Sequence, residues 1–400
     1  MSERWLSVVG IGEDGLDGLS PIARRIIEAA DLLAGGARHL AMIPPGPAAR
    51  MVWSTPFADN LDRLAAEQDR SVCVLASGDP MWFGIGATLA RRFGIERIRV
   101  ISHPGAFSLA AARLGWALHE TACLSIHGRA FEAVLPHLTP GARLLLLAED
   151  GASAARLASQ LVALGLGESK ISVFEHLDGP TERCLTGTAA TWTTTRTADL
   201  NIIALALPDG RGASKACVPG LPDDSFRHDG QLTKREIRAV TLAALAPWPG
   251  AHLWDVGAGC GSIAIEWCRA GGTASAIEPS AERCGMIADN ALALGIPHLD
   301  LHQGAAPQAL ATIPRPPDAL FIGGGLSAPG VIEACWAALR PDGRMVANAV
   351  TSEGEAVLLA WQARFGGSLT RLAVSRLEAT GRFHSWHPLM PVTQYAGVKS

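Results

Sequence analysis

The sequence predicts an α/β protein built as two domains, and three observations carry that expectation. Short apolar strands alternate with helical patterns through the first half of the chain. A Pro-, Gly-, Asp- and Ser-rich stretch, PDGRGASKACVPGLPDDSF (208–226), then breaks the pattern, and alternation resumes beyond it. At 400 residues the chain is also too long for one ordinary core. The domains are expected at 1–207 and 221–400 with a linker at 208–220, the first having lobes near 1–115 and 116–207.

In the first half, strands are expected at 5–10, 71–76, 97–101, 122–126, 143–147, 170–175 and 201–205. Helices are expected at 21–30, 85–93, 107–114 (capped near Ser108) and 152–164, giving a largely parallel sheet. Past the linker, strands are expected at 252–256, 273–278, 299–302, 318–323 and 344–350, with helices in the gaps. Two closing runs, 369–377 and 391–398, suit an antiparallel hairpin at the sheet edge. Between them TGRFHSWHP (380–388) reads as a lid-like loop or a plain connection.

Composition narrows the function classes. With 48% hydrophobic and 18% charged residues the chain is a packed globular one, and its formal charge of −4 gives no basic footprint for nucleic acid. No apolar run approaches the roughly 18 residues of a bilayer span, and MSERWLSVVGIG lacks the pattern of a signal peptide, so a cytoplasmic location without membrane contact is expected. The 8 cysteines are scattered without a C-x-x-C pair, which suggests neither zinc ligands nor a disulfide framework. His39, His103 and His127 come from separate loops with no ligand spacing, so no metal is expected.

The richest segment is LWDVGAGCGSIAIEW (253–267), a strand, a glycine turn and a helix start. In a doubly wound sheet, ligands bind at this first βα turn. A dinucleotide fingerprint wants G-x-G-x-x-G, whereas here the third glycine comes one residue early, at Gly261. Glu278 ends the following strand, where a carboxylate can take two ribose hydroxyls. A ribose-bearing ligand therefore fits, and the spacing disfavours a dinucleotide.

Asp255, Val256, Gly257, Ala258, Gly259, Cys260 and Gly261 resemble the D-x-G-x-G-x-G motif of Rossmann-like class I methyltransferases that use S-adenosylmethionine (SAM). With LPDDSFRHDGQLTKREIR (221–238), QGAAPQAL (303–310), DALFIGGG (318–325) and LRPDGRMVANAV (339–350), the segment from about 220 resembles the CbiT-type methylases of cobalamin biosynthesis. That resemblance implies a SAM site formed by Asp255, Gly257, Ala258, Gly259, Cys260, Gly261, Glu278, Thr233, Gly304, Ala305 and Ala306. Relatives often carry G-D-A where this chain has Gly304-Ala305-Ala306, so an adenine contact from that aspartate would pass to backbone groups.

In the first half, VVGIG (8–12), LLAGGARHL (32–40), VLASGDPMWFGIGATLARR (74–92), VISHPGAFSLAAARLGW (100–116) and SIHGR (125–129) resemble the two-lobed class III tetrapyrrole methylases of the CbiE-like variety. Three of these turns end strands and are expected to converge on one sheet edge. The resemblance implies SAM in a cleft between the lobes, near Gly10, Gly78, Asp79, Met81, Ser102, His103 and Asn201. Glu13 and Asp14 stand where a Pro-Gly often sits, and two acids there would repel substrate carboxylates unless they face solvent or act as a base.

A CbiE-like unit fused to a CbiT-like one resembles the bifunctional precorrin methylases. It implies methylation of the tetrapyrrole precorrin-6Y at C5 by the first domain, and at C15 with loss of the ring-C acetate carboxyl by the second, giving precorrin-8. One SAM per domain, no metal and a homo-oligomer follow from the same resemblance. The residues leave open that one domain is a degenerate scaffold for a single-site methyltransferase. Because the substrate bears many carboxylates, Arg227, His228, Arg376, Arg382 and His384 are candidates for binding it, with Arg382, His384, Arg227 and His228 the catalytic candidates. An NAD-dependent oxidoreductase lacks its glycine spacing here, and an RNA or protein methyltransferase lacks a basic face.

Overall fold

The computed structural model describes residues 4–210, 212 and 217–399. Part of the expected linker, 211 and 213–216, lies outside the described residues. The chain divides into two compact units, Met1–Phe131 with His137–Ala213, and Ser214–Ser400 with Glu132–Pro136.

The first unit opens with β1 (Leu6–Ile11), α1 (Pro21–Glu28), β2 (Leu32–Gly35), α2 (Ala37–Ala41), β3 (Ala49–Val52), α3 (Ala58–Ala65), β4 (Val72–Ser77), α4 (Ile85–Phe93), β5 (Ile98–Ile101) and α5 (Ala106–Leu114). Its strands form a parallel sheet in the order β3-β2-β4-β1-β5. Capping fixes where the chain enters α1: the Ser20 hydroxyl accepts the amide of Ala23 at 3.2 Å, and Pro21 takes the first helical position, where no amide is needed. Helix α5 instead starts from Gly105 without a side-chain cap, so Ser108 lies inside the helix rather than at its cap.

A second sheet follows from β6 (Ala122–Ser125), β7 (Arg143–Leu147), α6 (Ser153–Ala163), β8 (Lys170–Glu175), β9 (Arg183–Thr188) and β10 (Asn201–Ala206). Its order is β6-β7-β10-β8-β9, and here the parallel expectation is corrected: β6 and β7 are parallel, while β10 runs antiparallel to both neighbours and β9 antiparallel to β8. The short 176–182 connection after β8 returns the chain as an adjacent strand, which a parallel crossover could not do. Three strands lay outside the sequence expectation: β2, β3 and β9. Strand β2 is four residues long and buried throughout, and β3 buries Met51 alone, so neither shows a period to read.

The second unit runs α7 (Arg235–Leu245), β11 (His252–Val256), α8 (Ser262–Arg269), β12 (Thr273–Glu278), α9 (Ala281–Ala293), β13 (Asp300–Gln303), β14 (Ala319–Ile322), α10 (Val331–Ala338), β15 (Arg344–Ala349) and α11 (Ser352–Phe365). It ends with β16 (Ser368–Leu372), β17 (Ser375–Thr380), β18 (Phe383–Pro388) and β19 (Val392–Val398). Seven strands make one sheet, β13-β12-β11-β14-β15-β19-β16, parallel up to β15 and antiparallel after it. One face buries Trp254, Leu320, Ile322, Met345, Trp361 and Tyr395, and the other buries Leu253, Ile263, Trp267 and Phe321.

The 369–377 run is broken between β16 and β17, and 380–388 is no loop. It belongs to the hairpin β17–β18, in register Leu377↔Trp386 and Thr380↔Phe383 around Gly381-Arg382. Gly381 has φ +61°, the left-handed value a two-residue hairpin turn requires.

Candidate active site

Each unit carries a cleft where glycine turns leave the C-terminal ends of parallel strands, the place an open α/β sheet offers a ligand. In the second unit the cleft measures about 720 Å³. Thr233, Gly257, Ala258, Gly259, Cys260, Glu278, Gly304, Ala305 and Ala306 all line it. The turn has to be glycine at 257. With φ +71°, a Cβ there would sit 2.6 Å from the backbone of Gly324, which leaves β14 alongside.

Glu278 is 2% exposed, and its carboxylate accepts the amides of Gly259 at 2.9 Å and Ser280 at 3.1 Å. Arg283 lies 3.9 Å away, and the Gly304 amide is anchored on the Glu278 carbonyl at 3.0 Å. The acid thus ties the glycine turn to the 304–306 segment while keeping further acceptor capacity for hydroxyl donors.

Two candidates lie behind the wall rather than on it. Asp255 is buried, with one carboxylate oxygen accepting the Ala264 amide at 3.0 Å and the other without a partner. Burial pushes its carboxyl up to about 7. Gly261, at φ +81°, starts α8, and a Cβ there would crowd Ile287 at 3.0 Å. The sequence reading left unassigned the backbone of Gly323–Gly325 and the run Pro388-Leu389-Met390, which line the same cleft. The glycine triplet after a strand was the available signal for the first. For the second there is none, because the strands of the hairpin that delivers it are exposed and carry no buried period.

The charged candidates stand away from the cleft. Arg227 pairs with Asp289 at 2.7 Å, His228 Nδ1 accepts the Gly230 amide at 3.0 Å, and Arg376 binds Asp223 at 2.9 Å and Glu236 at 2.6 Å. Arg382 lies 5.0 Å over the Phe383 ring at the hairpin tip, and His384 is exposed on β18. None of the five lines the cleft.

The first unit's cleft, about 320 Å³, is lined by Gly78 and Asp79, with His39, Ser77, Trp82, Phe83, Gly105 and Phe107. The three turns after β1, β4 and β5 converge, as the sequence led one to expect. Gly78 has φ +51° and approaches Gly105 so closely that a Cβ would lie 2.6 Å from its Cα, while a Cβ on Gly10 would meet the His103 amide nitrogen at 2.9 Å. Asp79 accepts the Met81 amide at 2.8 Å and the Ser102 hydroxyl at 3.4 Å, which shapes the turn. Gly10, Met81, Ser102 and His103 therefore surround the cleft lining without belonging to it. Asn201 is farther removed: its amide donates to the carbonyls of Ala198 at 2.7 Å and Asp150 at 3.3 Å.

Glu13 and Asp14 do not project as bare acids. Glu13 pairs with Arg38 and, at 3.0 Å, with His176; Asp14 lies 3.5 Å from His103. Arg38 also donates to Ser77 at 3.1 Å and lies 2.7 Å from His39 Nε2. Burial and the neighbouring guanidinium push His39 down to about 4, so its imidazole is neutral in the cleft wall. Among the described residues no group of three His, Cys, Asp or Glu is arranged to hold a metal ion, and no helix is long and apolar enough to cross a membrane.

Comparison with known proteins matches each unit to a family. Residues 6–193 match the tetrapyrrole (corrin/porphyrin) methylases, and residues 224–399 match the precorrin methyltransferase domain. A precorrin-6Y C(5,15)-methyltransferase [decarboxylating] from Sinorhizobium sp is 47% identical over 401 residues, covering 99% of this chain and 96% of its own. A cobalt-precorrin-7 C(5)-methyltransferase from Salmonella typhimurium is 36% identical over 181 residues, 44% of this chain and 88% of its own. The solved C-terminal domain of precorrin-6Y C5,15-methyltransferase from Rhodobacter capsulatus is 46% identical, covering 46% of this chain and 100% of its own, with a TM-score of 0.44. With two glycine-floored clefts in one chain and near-complete coverage of a bifunctional relative, the chain belongs to the precorrin-6Y C(5,15)-methyltransferase [decarboxylating] family.

Proposed function

We propose that the two clefts are two separate methylation sites acting on one macrocycle. The first unit methylates C5 of precorrin-6Y; the second methylates C15 and promotes loss of the ring-C acetate carboxyl as CO₂, yielding precorrin-8. The observation that carries this reading is that each unit has its own cleft floored by glycine turns, so neither depends on the other for a ligand pocket.

SAM fits both clefts. In the second, the close Gly257–Gly324 approach keeps the backbone of both turns on the cleft lining, and Glu278 offers a fixed acceptor for ribose hydroxyls. In the first, the close Gly78–Gly105 approach brings two turns together on the cleft lining beside Asp79. When bound, SAM supplies a methyl group on a sulfonium, an electrophile matched to the electron-rich carbons of a reduced tetrapyrrole. The chain's own task is to hold the acceptor carbon in line and to keep water away, a proximity effect worth up to about 7–11 kcal/mol. The apolar Pro388-Leu389-Met390 wall suits desolvation of a departing carboxylate.

The test is mass spectrometry of the products formed from precorrin-6Y by the full chain and by Asp79→Ala and Glu278→Ala. Wild type is expected to add two methyls and lose CO₂. Asp79→Ala is expected to lose the C5 methyl alone, and Glu278→Ala the C15 methyl with CO₂ retained. Loss of both methyls from either substitution would refute the division of labour.

A further inference from the structure

The aromatic pair Trp82-Phe83 stands out at the mouth of the first unit's cleft. Trp82 is 42% and Phe83 45% exposed, yet both line the cleft that holds Gly78 and Asp79. Both rest on the buried ring of Phe107, with centroids 5.2 and 5.9 Å away. Phe83 adopts φ +54°, a left-handed conformation that is a genuine outlier for a bulky residue. Such strain persists where the surroundings over-determine it, and it clusters at ligand sites.

Arg129 lies over the Phe83 ring, its guanidinium carbon 5.1 Å from the centroid. Arg129 is exposed and, among the described residues, has no carboxylate partner. That sets it apart from Arg38 and Arg113, which are paired with acids in the same unit. The result is an exposed aromatic surface continuous with the cleft, beside a planar cation that pairs with no acid among the described residues.

We infer that Trp82 and Phe83 form the shelf on which the macrocycle lies during C5 methylation, and that Arg129 receives one of its peripheral carboxylates. The inference rests on the assignment of C5 chemistry to this unit. The chemistry at both ends agrees: a conjugated ring stacks on exposed aromatic faces, and a guanidinium fork binds a carboxylate through two parallel hydrogen bonds. A methyl acceptor must also reach the cleft from its mouth, where the shelf lies. The strained backbone at Phe83 holds its ring against Phe107 and under Arg129.

Two variants of the full chain test this, Arg129→Met and Phe83→Gly. Met keeps an apolar stem without the fork, and glycine accepts φ +54° freely, so Phe83→Gly relieves strain while removing the ring. For Arg129→Met the KM for precorrin-6Y in C5 methylation is expected to rise about tenfold or more, the effect of a lost charged hydrogen bond. For this variant SAM affinity by calorimetry should stay within about twofold, since Arg129 lies outside the cleft lining. For Phe83→Gly the same rise in KM is expected.

An unchanged KM in both variants overturns the shelf, as does a parallel fall in SAM affinity in Arg129→Met. So does a shift in sedimentation with KM intact, which would make the aromatic pair a contact between copies of the chain. A wild-type chain that adds no methyl at C5 overturns the underlying assignment and the shelf with it, whereas two methyls with unaffected variants overturns the shelf alone.

Discussion

The Glu278 carboxylate accepts the amide proton of Gly259 at 2.9 Å, so the acid ending β12 and the middle glycine of the turn after β11 act as one structural piece. The parallel register between those strands, Val256↔Ile277, places them side by side, and the positive φ of Gly259 turns its amide toward the acid. A carboxylate held this way is aimed before any ligand arrives, which lowers the ordering cost of binding.

Glu278→Gln tests that arrangement. The amide keeps one oxygen acceptor but loses the charge, and its NH₂ would face the Gly259 or the Ser280 amide, donor against donor. SAM affinity at the second unit is expected to fall about tenfold to a hundredfold, with the first unit's site unaffected. Calorimetry of the full chain should then show one of two binding events weakened. Two events of wild-type affinity would remove Glu278 from the site.

The β11–turn–α8 segment was legible because all its determinants are local: a buried run, three glycines within five residues, and an acid one strand later. The surroundings of Glu13 and Asp14 were not. His176, which answers Glu13, lies 163 residues away, and no period or spacing in one sequence announces that pairing. The partners of Arg227 and Arg376 are illegible in the sequence for a related reason. An arginine in a family-like segment looks available for substrate, but the carboxylates that occupy them, Asp289, Asp223 and Glu236, come from surfaces known only after folding. The hairpin β17–β18 escaped because its strands have no core beneath them: Leu377 and Trp386, paired across it, are 55% and 69% exposed.

A buried ion pair holds the far wall of the second cleft. Arg238 is fully buried and Glu266 2% exposed, with Arg238 Nε donating to Glu266 at 2.6 Å. Arg238 also donates to the carbonyls of Leu221 and, at 2.5 Å, Thr233, while Glu266 accepts the amides of Gly220 at 2.6 Å and Leu221 at 3.0 Å. The pair thus straps the segments flanking Thr233 onto α8. Arg238→Met leaves Glu266 buried and uncompensated, at an expected cost of about 3–5 kcal/mol in urea unfolding of the second unit. Adding Glu266→Leu should recover part of that loss by removing the buried charge, the rest staying lost with the acceptor of the Gly220 and Leu221 amides, while SAM binding stays weakened for want of the strap. Additive losses in the two single variants would show that the pair is not coupled.

The pH dependence of stability separates two buried groups with opposite signs. Asp255 is pushed from 3.8 up to about 7 by burial, so between those values the folded chain holds a proton that the unfolded chain has released. Its contribution is complete below pH 3.8 and is lost as pH rises to about 7. His252, near the start of the same strand, is pushed from 6.5 down to about 4 by burial, with Arg315 adding to the shift. Here the unfolded chain binds the proton first, so the contribution is complete above pH 6.5 and is lost as pH falls toward 4. Across that shared window the slopes oppose, and subtracting variant from wild type exposes each one. For Asp255→Asn, unfolding free energy relative to wild type should climb from pH 4 to about 7 and then level off. For His252→Gln, the relative value should be highest near pH 4 and constant above 6.5. His39, also held near 4, lies in the other unit and cancels from both differences. Curves for either variant that stay parallel to wild type across the window would show that the group does not titrate differently on folding.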